Sequence, residues 1–191
     1  MKLVAGLGNP GDRYRGTRHN VGFDVLDRLV SRHGLAWEAG PTEALEARWR
    51  RPEGAVVLAK PLTFVNLSGE AVGALMRFYK IAIEDVLVVC DDVNLPLGRL
   101  RARATGSEGG HNGLRSVARH LGTIDYARLR VGVGRGDERR DLADHVLARF
   151  APEEQPGIDD AIVRAAEAVE TWVADGLVTM MNVFNRVETD S

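Results

Sequence analysis

A single cysteine and only three lysines occur among 191 residues, and the scarcity of cysteine removes a class of protein. A lone thiol, Cys90, cannot close an internal disulfide, so a reducing cytoplasm is the expected setting. No signal-peptide pattern occurs and no apolar run approaches the ~18 residues of a membrane helix, so no membrane partner is expected. Paired cysteines and the H-E-x-x-H spacing are missing, which leaves no zinc signature and an expectation of no metal. The G-x-S-x-G elbow that presents a serine nucleophile is missing too, and Cys90 lies inside an apolar strand.

What is present suits an ordinary globule, 45% hydrophobic and 27% charged. The length fits one domain covering residues 1–191, long enough to bury about 70% of the surface of its unfolded form. A net charge of −2 hides an uneven distribution. Residues 1–98 balance 12 basic against 12 acidic groups; residues 99–140 carry ten arginines against four acids, a net +6; residues 141–191 carry three basic against eleven acidic groups, a net −8. A basic middle is what a polyanion site needs, because guanidinium forks bind phosphates bidentately and release counterions. The bland alternative is a solvated, arginine-rich surface in a lysine-poor chain.

Apolar runs and helical periods alternate along the chain. Lys2–Gly8, Ala55–Ala59 and Val86–Cys90 are short and continuously apolar, as strands covered on both faces are, and Pro61 ends the second of them. Leu45, Ala47 and Trp49 alternate with Glu46, Arg48 and Arg50, which reads as an edge-like strand with one wet face. Arg99, Arg101 and Arg103 share one face, and Tyr126–Gly134 reads as a further strand with Arg128 and Arg130 on one side. Helical spacing runs from Val21 to Val30, with Asn20 as N-cap and Gly34 as stop, then through Ala71–Tyr79, Leu114–Leu121 and Ile158–Ala174, with Gly176 dividing off a last piece ending near Asn185. The expected fold is α/β: a single three-layer α/β/α domain with a mixed, largely parallel twisted sheet.

Three loops after strands carry the chemistry. The first, Gly6 to Asn20, holds Asn9, Tyr14 and His19; the second holds Asn66; the third, Thr105 to Gly113, holds His111 and Asn112. Asp91 ends another strand. Gly6, Gly8 and Gly11 satisfy G-x-G-x-x-G literally, but Gly11 leads into Asp-Arg-Tyr-Arg-Gly-Thr-Arg without opening a helix, and the region about twenty positions on, near Leu29 to Gly34, reads as the end of a helix and not as the second strand that would end in the acidic residue. No dinucleotide cofactor is therefore expected. If the C-terminal strand ends share one crevice, what remains is a histidine base, a carboxylate to orient it and amides to meet an oxyanion, a set suited to attack of water on an ester. His111 is assigned no step, His33, His120 and His145 are read as structural or solvent-facing, and Trp37, Trp49 and Trp172 as packing groups.

The run G-L-G-N-P-G-x-x-Y-x-x-T-R-H-N-x-G from Gly6 to Gly22 resembles the bacterial peptidyl-tRNA hydrolase family. Thr63–Gly69, Asp91–Gly98, Gly109–Leu114 and Arg128–Gly134 resemble that family's other signatures in the same order, so the likeness spans nearly the whole chain. It implies hydrolysis of the ester between a peptide and the 3′ ribose of tRNA, recycling prematurely released peptidyl-tRNA, with no cofactor, no stable protein partner and a monomeric state. It implies His19 as general base, Asp91 as its paired carboxylate and Asn9 as the amide at the oxyanion. Asn66 and Asn112 match amides that bind the peptide backbone and the tRNA end, Tyr14 lines the terminal adenosine site, and Phe64 belongs to the same binding set. Arg103, usually lysine in the family, and Arg130 match positions that grip a tRNA phosphate; the remaining arginines are read as a general electrostatic field. Val65, Cys90 and Asn94 depart from the family's usual methionine, histidine and aspartate. Some relatives serve as RNA-binding partners in RNA processing, so a non-hydrolytic role is the alternative, with hydrolysis of small N-acylated esters a weaker third.

Overall fold

In the computed structural model, which describes residues 1–186, one seven-stranded sheet carries the chain. Its strands are β1 (Lys2–Gly6), β2 (Glu38–Ala39), β3 (Ala44–Trp49), β4 (Val56–Pro61), β5 (Val86–Asp92), β6 (Leu100–Arg103) and β7 (Ala127–Gly132), in the order β2-β3-β4-β1-β5-β7-β6. The four central strands β4, β1, β5 and β7 run parallel, and the flanking pairs are antiparallel. The sheet is therefore mixed and largely parallel, as the continuous apolar runs imply.

Both faces of the central strands are buried because successive side chains point into different cores. Val4, Leu58, Leu87, Val89, Leu129 and Val131 face the helices α1 (Val21–Arg32), α5 (Gln155–Asp175) and α6 (Leu177–Phe184). Leu3, Ala5, Val57, Ala59, Val88 and Cys90 face α2 (Ser68–Tyr79) and α3 (Asn112–Leu121). The three layers follow. A short helix, α4 (Leu142–Val146), lies against the turn Arg18–Asn20. Asn185, just beyond α6, accepts from the N–H of Ala102 at 2.6 Å and donates to its carbonyl at 2.9 Å, which satisfies part of the outer edge of β6.

Several local expectations are corrected. β1 ends at Gly6 and β7 spans Ala127–Gly132, each shorter than its apolar run. β3 is covered by the two-residue β2, and Glu46 on its supposed wet face is buried, accepting from the hydroxyl of Tyr79. α5 begins before Ile158 because Pro156 sits in its first turn, where a missing N–H costs nothing. The buried Arg128 is no part of a surface field: its guanidinium donates to the carbonyls of Gly106, Ile124 and Tyr126. Arg18 is likewise buried, donating to Glu154 Oε1 at 2.7 Å and to the carbonyls of His145 and Ala148.

Candidate active site

Close packing of backbone on backbone sets the first loop. A Cβ on Gly22 would lie 2.5 Å from the carbonyl oxygen of Val89, and one on Gly6 would lie 2.4 Å from that of Gly22. Only glycine fits either position, so the first turn of α1 rests directly on β1 and β5. The 3-10 turn Arg18–Asn20 then carries His19 over the C-terminal end of β5, where Asp91 stands. Gly11 has φ +100° and leads into the single turn Asp12–Tyr14, so no helix opens there to hold a dinucleotide.

His19 Nδ1 lies 2.9 Å from each carboxylate oxygen of Asp91, itself only 2% exposed. Nδ1–H therefore donates to the carboxylate, and Nε2 keeps a lone pair with no hydrogen-bond partner among the described residues. Burial opposes the imidazolium, but the Asp91 charge and hydrogen bond outweigh it and raise the His19 pKa above its ordinary 6.5. Burial likewise opposes the Asp91 carboxylate, and the two imidazoles bonded to it outweigh that effect, holding its pKa far below the usual carboxylate range.

The second imidazole belongs to His111. Its Nε2 lies 2.8 Å from Asp91 Oδ1, while its Nδ1 accepts from the backbone N–H groups of Gly113 and Leu114 at 3.1 and 3.3 Å. His111 is thus the N-cap of α3, and an accepting Nδ1 places the ring's proton on Nε2. Ligand atoms of His19, Asp91 and His111 lie within 4.8 Å of one another, yet the set does not suit a cation: a nitrogen that holds a proton has no lone pair to give.

Asn20 occupies the N-cap position of α1 but makes no capping bond. Its Oδ1 accepts from the N–H of Asn9 at 2.8 Å and its Nδ2 donates to the Asn9 carbonyl at 2.9 Å, a clamp on the backbone of the first loop. Asn9 Oδ1 accepts in turn from the N–H of Val65 at 2.8 Å, tying the first loop to the second. The amide Nδ2 of Asn9 is left without a partner among the described residues.

The sequence-derived residues do not all share one hollow. His19, Asp91, His111, Asn112 and Arg130 line a crevice of about 330 Å³ roofed by Leu142, Ala143 and Val146 of α4. Asn9 lines a different hollow, with Asn20, Asp24 and Lys60. The exposed Asn66 lines a third, which Asn112 joins to the crevice and which Arg115 and Arg119 flank. Tyr14 and Phe64 meet edge to face, ring centroids 6.2 Å apart, bridging the first and second loops. Arg103 is exposed on β6. Arg130 is held at the crevice wall, donating to the Ser107 carbonyl at 2.6 Å and lying 3.7 Å from Asp92 Oδ2.

Of the departures, the Val65 side chain is buried, Cys90 faces the α2–α3 core, and only Asn94 lines the crevice. Sequence reasoning missed the clamp by Asn20, the anchoring by Arg18 and the place of His111. The signals were there in part: Arg18 and Asn20 flank the proposed base, and His111 follows two glycines at a helix start.

An oriented imidazole and a spare amide at the C-terminal ends of parallel strands, in a three-layer α/β protein, are parts that suit a hydrolytic enzyme. A sequence model described as peptidyl-tRNA hydrolase matches residues 3–191. The chain belongs to the peptidyl-tRNA hydrolase family. It is 48% identical to the peptidyl-tRNA hydrolase of Symbiobacterium thermophilum over 96% of this chain and 98% of that one. With that of Geobacillus kaustophilus it shares 47% identity over 97% of this chain and 100% of the relative. The crystal structure of peptidyl-tRNA hydrolase from Acinetobacter baumannii superposes with a TM-score of 0.89 at 35% identity, covering 97% of this chain and 94% of that one.

Proposed function

We propose that this protein hydrolyses the ester between the peptide of peptidyl-tRNA and the 3′ ribose, acting as a single-domain monomer in the cytoplasm. The observation that carries the reading is the His19–Asp91 pair: Nδ1 is engaged by both carboxylate oxygens and Nε2 is left unbonded at the crevice. Nε2 takes a proton from water as the water oxygen attacks the ester carbonyl. Asp91 holds the ring and stabilises the imidazolium that forms, without itself being protonated. The tetrahedral oxyanion receives a hydrogen bond from Asn9 Nδ2. Its collapse breaks the bond to the ribose 3′ oxygen, which takes the proton back from His19, and the products are a free peptide carboxyl group and a free 3′ hydroxyl.

Base catalysis supplies about 10²–10⁴-fold and one oxyanion donor about 10²–10³-fold, so the two act together. Tyr14 and Phe64 offer an aromatic wall to the terminal adenosine, and Asn66 and Asn112 offer amides to the peptide backbone and the tRNA end. Arg103 and Arg130 offer charge to the phosphates of the acceptor stem. Release of free tRNA from N-acetyl-aminoacyl-tRNA tests the reading: the wild type is expected to turn over and His19→Ala to lose that activity. An inactive wild type would remove it.

A further inference from the structure

We propose that His111 is a positioning residue for the reaction: locked by the start of α3 into the Nε2–H form, it holds Asp91 in line with His19 by a second hydrogen bond. The inference rests on the hydrolytic reading above, and it goes further by giving a task to a histidine that the proton transfers do not use. Three facts meet on this ring. Nδ1 is occupied by two backbone N–H groups, so the tautomer is fixed and does not depend on substrate. Nε2–H is aimed at Asp91 Oδ1 at 2.8 Å, on the same oxygen that accepts from His19. The rings of His19 and His111 are tilted against each other by 48°, their centroids 5.0 Å apart. A carboxylate held by one imidazole alone is freer to swing about its χ2 bond, and His19 then loses its orientation; a second donor on Oδ1 restricts that freedom.

The arrangement also divides the carboxylate's charge. A proton donated by His111 draws electron density from Asp91 and leaves less to hold a proton on His19, so the base stays free at lower pH. The other charged groups lining the crevice with the pair are Asp92, next to Asp91 on β5, Arg130 of β7 and Arg135 of the loop beyond it, and Asp92 and Arg130 lie against each other at 3.7 Å. None of these is hydrogen-bonded to Asp91. His111 is the group whose removal changes its bonding.

Two substitutions separate the two ends of the ring. His111→Asn keeps a short side-chain oxygen able to cap α3 but cannot reach Asp91; His111→Gln places an amide N–H near the position of Nε2 and gives up the cap. The His19 ring is titrated by NMR in the free protein, which needs no substrate and reads the proposal even if the hydrolytic reading fails. The pH profile of kcat/KM on N-acetyl-aminoacyl-tRNA is recorded beside it. With His111→Asn, the His19 titration and the acid limb of the profile are expected to move up together, on the order of half to one pH unit. At high pH the rate is expected to recover only in part, the remaining deficit reporting the lost orientation of His19. With His111→Gln, both are expected to stay near their wild-type positions while the melting temperature falls. An acid limb and a His19 titration unmoved in His111→Asn, with the rate lowered equally at every pH, would show a merely structural histidine and overturn the proposal.

Discussion

The first and third glycine-rich loops each present a histidine to Asp91, and they are built differently. The first, Gly6–Asn20, is held within itself by the Asn20 clamp on Asn9 and by the backbone contact of Gly6 with Gly22, and from outside by Arg18, which ties the turn to the segment from His145 to Glu154. The third, residues 104–111, is held from behind by the arginines of β7: Arg128 bonds the Gly106 carbonyl and Arg130 that of Ser107. The consequence appears in the rings. His19 uses one nitrogen for anchoring and keeps the other free; His111 uses both. Identical side chains on one carboxylate thus differ in role, because the number of free nitrogens is set by the loop and not by the residue.

The largest expected effect breaks this comparison outright. His19→Ala is expected to lower kcat/KM on N-acetyl-aminoacyl-tRNA by at least about 10²–10⁴-fold, whereas His111→Asn near pH 8 stays within about tenfold of the wild type. Comparable losses in both would erase the distinction between base and support.

Next comes the first loop's amide. Asn9→Asp keeps an oxygen for the Val65 N–H and removes the free donor, so kcat is expected to fall about 10²–10³-fold with the melting temperature little changed. Loss of stability with kcat intact would make Asn9 a purely structural link between loops.

A smaller effect sharpens the difference on the third loop's side. Arg103→Ala is expected to weaken tRNA binding and reduce the slope of affinity against salt by about one, leaving a short N-acylated ester substrate unaffected. Arg130→Ala is expected to do the same and in addition to loosen the third loop, since it releases the Ser107 carbonyl. An unchanged salt slope in both variants would remove the phosphate role.

The smallest concerns the first loop's hollow, where burial and then the nearby Asp27 push the Asp24 carboxyl up to about 7 against partial relief from Lys60. The sign follows from the raised value: between 3.8 and about 7 the folded chain holds a proton that the unfolded chain has released, so stability falls as pH rises through that window. Asp24→Asn is therefore expected to raise the melting temperature more at pH 8 than at pH 5. Equal gains at the two pH values would contradict the shift.

Much of the fold is legible in the chain because the parallel strands carry continuous apolar runs and the helices clear periods. Val86–Cys90 and the period from Val21 to Val30 leave little choice. The order of the strands is not legible, since nothing local in β5 says that β1 and β7 are its neighbours. Local polarity misleads wherever tertiary partners bury it: Glu46 alternates as a wet residue but meets Tyr79, and Arg128 reads as surface charge but spends its donors on three carbonyls. The candidate site is half legible. His19, Asp91 and Asn9 stand out by residue type and setting. His111 does not stand out, because the bond that matters joins residues twenty apart through a carboxylate, and sequence shows only a histidine before a helix.

The two rings are expected to hold their protons on different nitrogens, and long-range proton–nitrogen NMR at pH 8 reads this directly. His19 is expected to be protonated on Nδ1 with Nε2 free, and His111 on Nε2 with Nδ1 accepting. A spectrum with His19 protonated on Nε2 would leave it no lone pair facing the crevice and would contradict the account.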